Sequence, residues 1–175
     1  QTCALPISAL VAWLVAPIHP VTSLLAGLAA IAHALRLVCW RGTRTGAEPL
    51  VWVLHLAYAW LPVGFALLAI AASVPEQAPV SAAVHALTAG AMATMIVAMM
   101  TRAALGHSGH PLHAGYATTG IYIAITASAI CRVAAPFLPV MYLPLLDAAS
   151  LLWVTAFLLY LVVYAPILLG PRAEG

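Results

Sequence analysis

Between His85 and His113 the chain reads HALTAGAMATMIVAMMTRAALGHSGHPLH, and this stretch gathers side chains that can do chemistry in a sequence otherwise poor in them. His85, Thr88, Met92, Met95, Met99 and Arg102 recur at steps of three and four residues, the spacing that sets side chains on one face of a helix. An imidazole and a row of thioethers suit copper or haem iron, and a guanidinium suits an anionic partner. The plainer alternative is that the methionines fill irregular gaps and His85 bonds to a neighbouring helix. Ala86, Gly90, Thr94 and Ala98 fall between them at steps of four. They form a small-residue face of the kind that lets membrane helices approach backbone to backbone.

Other histidines extend the list of candidates. His107, His110 and His113 share one loop with Gly106 and Gly109, where glycines permit a tight turn and histidines could bind copper. His107 is the first choice, because the two glycines hold its backbone; solvated loop histidines are the alternative. His33 lies about 10 Å and His55 about 8 Å inside the same end of two adjacent antiparallel helices, at ~1.5 Å per residue. Such a pair could clamp a haem iron axially or donate to copper, or could bond only to backbone and water. His85, Arg132 and Asp147 lie roughly 5–9 Å inside helix ends on three successive spans. Unpaired charge in a bilayer is costly, so Arg132 and Asp147 are expected to pair with His85 close by. That cluster would be a packing ion pair, a proton relay or an anchor for a haem propionate.

The elements that must position these groups follow from composition. The chain is 65% hydrophobic and 6% charged, with mean hydropathy +1.09, which defines an all-α, polytopic transmembrane bundle. A net charge of +2 gives no footprint for nucleic acid. The three cysteines show no zinc or disulfide spacing, and Cys39 and Cys131 fall near helix ends on opposite sides. No CxxCH occurs, so any haem is noncovalent. Five full spans are expected, Val21–Trp40, Leu50–Ala72, Val80–Leu105, Leu112–Ala135 and Val140–Leu169, behind a partial leading helix at Ser8–Ala16. Pro17, His19 and Pro20 make the first turn, and Pro49 starts the second span. Pro62 and Gly64 mark a kink within it.

Residues 1–7, QTCALPI, carry neither an initiator Met nor a charged signal region. Back-translated, they match a common sequencing adaptor, so they are expected to be a non-native scar. Residues 8–175 then form the transmembrane domain, with native sequence expected upstream. Arg36, Arg41, Arg44, Arg102 and Arg172 fall on one side and Arg132 on the other. The arginine-rich side is therefore expected to be cytoplasmic, and the C-terminus with it.

Three blocks resemble the signatures of the NnrS family of bacterial membrane proteins, in the family's order. They are EPLVWVLHLAYAWLPVGFALL (Glu48–Leu68), HALTAGAMATMIVAMMTRAALGHSGHPL (His85–Leu112) and WVTAFLLYLVVYAPILLGPRAEG (Trp153–Gly175). The resemblance implies an inner-membrane protein containing haem and copper and linked to nitric oxide metabolism, denitrification and nitrosative stress. It also implies about twelve helices, of which this chain would be a fragment, the C-terminal half, partnered by a missing N-terminal half. The matching positions are His55, His85, Thr101, Arg102, Gly106, His107 and Gly109; His110 departs from the pattern. Three functions follow as expectations. One is a haem and copper protein that buffers or senses nitric oxide. Another is a membrane redox enzyme of the cytochrome b or nitric oxide reductase kind. The third is a copper or small-solute transporter. His55, His85, His33, Met92, Met95, Met99 and Arg102 are the candidate cofactor residues, and His55, His85 and His107 the candidate metal ligands.

Overall fold

The structure, a computed structural model, describes residues 4–40 and 48–172. Within them every regular element is helical: α1 (Ala4–Val15), α2 (Pro20–Cys39), α3 (Pro49–Ser73), α4 (Val80–His107), α5 (Tyr116–Ala134) and α6 (Tyr142–Leu169). Two single 3₁₀ turns, Ala135–Phe137 and Pro139–Met141, join α5 to α6. Helices α2 to α6 are each long and apolar enough to cross a bilayer, while α1 is shorter. The chain is thus an all-α bundle of five candidate spans behind a short leading helix, as its composition requires.

Local chemistry sets the helix starts. His19 caps α2, its Nδ1 accepting the Val21 N–H at 3.2 Å, with Pro20 in the first turn. Glu48 caps α3 in the same way, its carboxylate accepting the Leu50 N–H, ahead of Pro49. Both use proline where its missing N–H costs nothing. Arg41 and Arg44, two of the arginines on which the expected orientation rests, lie outside the described residues.

Helix α2 packs along α3, α5 along α6, and α4 lies between these two pairs. One core joins α1, α2, α3 and the first part of α4 around Phe65 and Leu68. The other joins α3 to α6 around Val97, Tyr122 and Tyr164. Leu24, Leu28, Ile31 and Leu35 on α2, and Val154, Leu158 and Leu161 on α6, remain exposed on outer faces. Their place on apolar outer surfaces suits hydrocarbon as solvent.

Helix α4 is not a uniform α-helix. From Ala86 to Met92 its hydrogen bonds take the wider i→i+5 form, and the Ala93 N–H reaches the Thr88 carbonyl. The expected small-residue face is nonetheless buried at Ala86, Gly90, Thr94 and Ala98. It meets α3 at close range. A Cβ on Gly90 would lie 2.5 Å from the Trp60 ring, and one on Gly64 would lie 2.6 Å from Leu87.

Candidate functional site

The best-formed cavity, about 540 Å³, lies where α4, α5 and α6 meet. That size falls within the ~300–1,000 Å³ typical of small-molecule and cofactor sites. Helix α4 contributes His85, Thr88 and Met92, α5 contributes Ser128 and Arg132, and α6 contributes Ser150, Trp153 and Phe157. The polar groups cluster toward the helix ends near His85 and Arg132, and the apolar ones run toward the middle of the spans. All three hydroxyls are already committed to backbone, that of Ser150 donating to the Leu146 carbonyl at 2.9 Å. Thr88 Oγ1 donates to the Val84 carbonyl at 2.7 Å, and Ser128 Oγ donates to that of Ala149 at 2.7 Å. His85 and Arg132 are left as the groups that can meet a ligand.

The structure divides the expected methionine face. Met92 lines the cavity, but Met95, Met99 and Arg102 do not. Ile96, one turn beyond Met92, is the last residue of α4 in the lining, and Met99 lies on the outer surface about 10 Å further along the helix than Met92. The expected Arg132–Asp147 pair is also not formed: among the described residues no ion pair joins them. Asp147 is exposed, on the flank of α6 about 90° from the face that carries Ser150, Trp153 and Phe157.

His33 and His55 lie on neighbouring helices, as expected, but no hydrogen bond or ring contact joins them among the described residues. His33 Nδ1 is 2.7 Å from the Tyr58 hydroxyl, and its ring stacks on Phe65 with centroids 5.6 Å apart. His55 Nδ1 donates to the Val51 carbonyl at 3.1 Å. Trp40 comes between, 4.5 Å from the Tyr58 ring and 6.1 Å from that of His55. A carbonyl only accepts, so the proton of a neutral His55 ring sits on Nδ1 and the Nε2 lone pair is left for a ligand. Metal-binding histidines are commonly oriented in this way.

The loop histidines are not gathered into a site. His107 ends α4 and is exposed, and Gly109, at φ 79°, is the left-handed residue that closes the helix. The His110 N–H reaches back to the Leu105 carbonyl at 3.0 Å, completing a Schellman-type stop. Only Gly109 carries that turn, since a Cβ at Gly106 would make an ordinary 3.7 Å contact. His110 Nδ1 meets Ser108 Oγ at 2.9 Å, and His113 Nδ1 meets Glu48 Oε2 at 2.7 Å. Glu48 Oε1 also accepts the Ala114 N–H at 3.1 Å. Glu48 therefore caps α3 and clasps the loop before α5, a role hidden in a sequence where the partners stand 65 residues apart. Burial acts to raise its pKa, but the N–H groups of Leu50 and Ala114 and the His113 ring outweigh that and hold it below the ordinary glutamate value.

The donor chemistry decides which cofactor these residues suit. The cavity offers an imidazole, a guanidinium and an apolar trough, which match the iron, the carboxylates and the macrocycle of a haem. Copper is not matched in the same way. Among the described residues no three His, Cys, Asp or Glu side chains come together, and the methionine face is split.

An all-α bundle of five apolar spans, with a polar-ended cavity between its helices, defines a multi-pass membrane protein. Comparison with known families gives the particular group: the family model described as NnrS protein matches residues 2–172, and the chain belongs to the NnrS family. That membership supports a nitric-oxide-related membrane protein, in a family associated with haem and copper. No curated protein and no solved structure matches the chain.

Proposed function

We propose that this chain is a haem-binding part of a nitric-oxide-linked protein of the bacterial inner membrane, with the haem held between α4, α5 and α6. The observation that carries the reading is the pairing of His85 and Arg132 at one end of a cavity whose remainder is apolar. His85 would supply a nitrogen to hold the haem iron, and Arg132 would balance the charge of its carboxylates. Met92, Trp153 and Phe157 would cover the macrocycle and exclude water. A bound haem supplies an iron that takes up nitric oxide and exchanges one electron. The protein's own part is to hold it noncovalently, keep His85 neutral as a ligand and balance the carboxylates with Arg132. His55, with Nε2 available beside Trp40, is a second candidate ligand toward the arginine-rich end.

Arg36, Arg102 and Arg172 stand at the end where α2, α4 and α6 finish, and Arg132 at the other. This supports a cytoplasmic C-terminus, which a cytoplasm-active reporter fused after Gly175 would reveal by working where a periplasm-active one fails. Among the described residues Arg132 and Asp147 form no ion pair that could couple the transport of a solute. The test of the haem reading is the absorption spectrum of the purified protein with metal analysis. A Soret band and stoichiometric iron are expected, with the band lost in Arg132→Ala or His85→Ala. A protein that purifies folded with neither haem nor iron would overturn it.

A further inference from the structure

The cavity is one-sided. Close packing between α4 and α6 lies in the second part of α4, Ala93–His107, while its first part rests on α5 instead. The cavity occupies the opening this leaves, with α5 as its floor. On the inner side Ala93, Ser128 and Ala149 are buried. On the outer side the lining residues are also outer surface: Met92 is 59% exposed, Ile96 48% and Val154 53%. Met92 and Val154 both lie about 18 Å from the starts of their helices, at ~1.5 Å per residue. That is near the middle of a hydrocarbon core ~30 Å thick. The gap between α4 and α6 thus opens where the surroundings are lipid tails, through side chains that offer no strong hydrogen bond.

We propose that ligands reach this cavity sideways from the bilayer, between Met92 and Ile96 of α4 and Val154 of α6. The class admitted is the small uncharged apolar molecule that dissolves in hydrocarbon, a diatomic gas above all. Ions and strongly hydrated solutes are excluded, because bringing charge to that depth costs several kcal/mol. The lateral route rests on the reading of this cavity as the ligand site, but its geometry can be tested without haem.

The test is a nitroxide attached at Ala89→Cys, a cavity-lining position, in protein with Cys3, Cys39 and Cys131 replaced by Ser and reconstituted in nanodiscs. Collision with molecular oxygen and with a charged nickel chelate is read from power-saturation spectra. The same label at Ile31→Cys, on the outer face of α2, is the lipid-facing standard. Oxygen collision at 89 should approach that at 31, nickel collision should be low, and Ile96→Trp or Val154→Trp should each cut the oxygen value severalfold. High nickel collision at 89, or oxygen collision unmoved by both tryptophans, would overturn the lateral route. In haem-loaded protein the same tryptophans should slow carbon monoxide binding, read per haem bound. Absence of haem would sink the cofactor reading while leaving the oxygen result to decide this one.

Discussion

The ring of Trp60 fills the space beside Gly90 so completely that a Cβ at residue 90 would lie 2.5 Å from its Cδ2 atom. This contact holds α3 against the wide-turn segment of α4, and Gly64 against Leu87 repeats it from the other helix. Gly90→Ala should therefore destabilise the bundle by roughly 1–3 kcal/mol, the usual cost of overpacking. Gly120→Ala, where a Cβ meets nothing within 4 Å, should be neutral or slightly stabilising. Thermal unfolding of the two variants in one detergent checks this, and equal melting temperatures would contradict the close approach.

Tyr122 and Thr101 make a prediction about asymmetry. Both are buried at 0% exposure, and their hydroxyls meet at 2.5 Å across α4 and α5. Thr101 spends its single proton on the Ala98 carbonyl at 2.9 Å, so Tyr122 is the donor between them. Tyr122→Phe leaves Thr101 with a partner and should cost about 0.5–1.5 kcal/mol. Thr101→Val strands a buried phenol and should cost more, about 1–3 kcal/mol. In the double variant the loss should be less than the two added together, which a double-mutant cycle of melting curves would measure.

The clasp at Glu48 should loosen in acid. A carboxyl whose folded pKa lies below its unfolded value binds its proton more readily in the unfolded chain. The Glu48 contribution is therefore complete above its ordinary value of 4.5 and is lost as pH falls through the lower folded value. Protection of the Ala114 amide, taken relative to its intrinsic exchange rate at each pH, should fall below about pH 4.5 in the native protein, and Glu48→Gln should show that lower protection already at neutral pH. If Ala114 exchanged equally in both proteins across the range, the clasp would have no weight in holding the loop.

Some of this arrangement was legible in the sequence and some was not, for identifiable reasons. The spans were legible because each is an uninterrupted apolar run bounded by Pro, Gly or charge. The Ala86, Gly90, Thr94 and Ala98 face was legible because small residues at steps of four have few other uses in a membrane. How far the methionine face takes part in the cavity was not legible, because the sequence does not say where along α4 the cavity ends: Met92 lines it, and Met95, Met99 and Arg102 do not. The Arg132–Asp147 pair was inferred from the cost of burying charge, but Asp147 lies about 8 Å from the start of α6 and stays exposed. Tyr58 and Glu48 were missed because their partners, His33 and His113, are remote in sequence.

His85 and His55 should differ in what their loss does. His85 lines the cavity opposite Arg132, and its replacement removes the one imidazole in reach of a ligand there. His85→Ala in the full-length protein should abolish or strongly reduce haem content while leaving membrane insertion intact. His55 holds its Nδ1 proton on Val51 and packs edge-on to Trp40, outside that cavity. His55→Ala should therefore spare the spectrum given by the His85 site and remove a second haem only if two are bound. Met92→Leu should shift the spectrum, because a polarizable thioether at the cavity wall is exchanged for a hydrocarbon. Met99→Leu, pointing outward, should not. His110→Ala should change nothing, since among the described residues that ring bonds only to Ser108 in its own loop. Haem per protein, measured by pyridine haemochrome on material of equal monodispersity, decides among these. Full haem content in both His85→Ala and His55→Ala would make the two imidazoles packing groups and move the ligands to other residues of the protein.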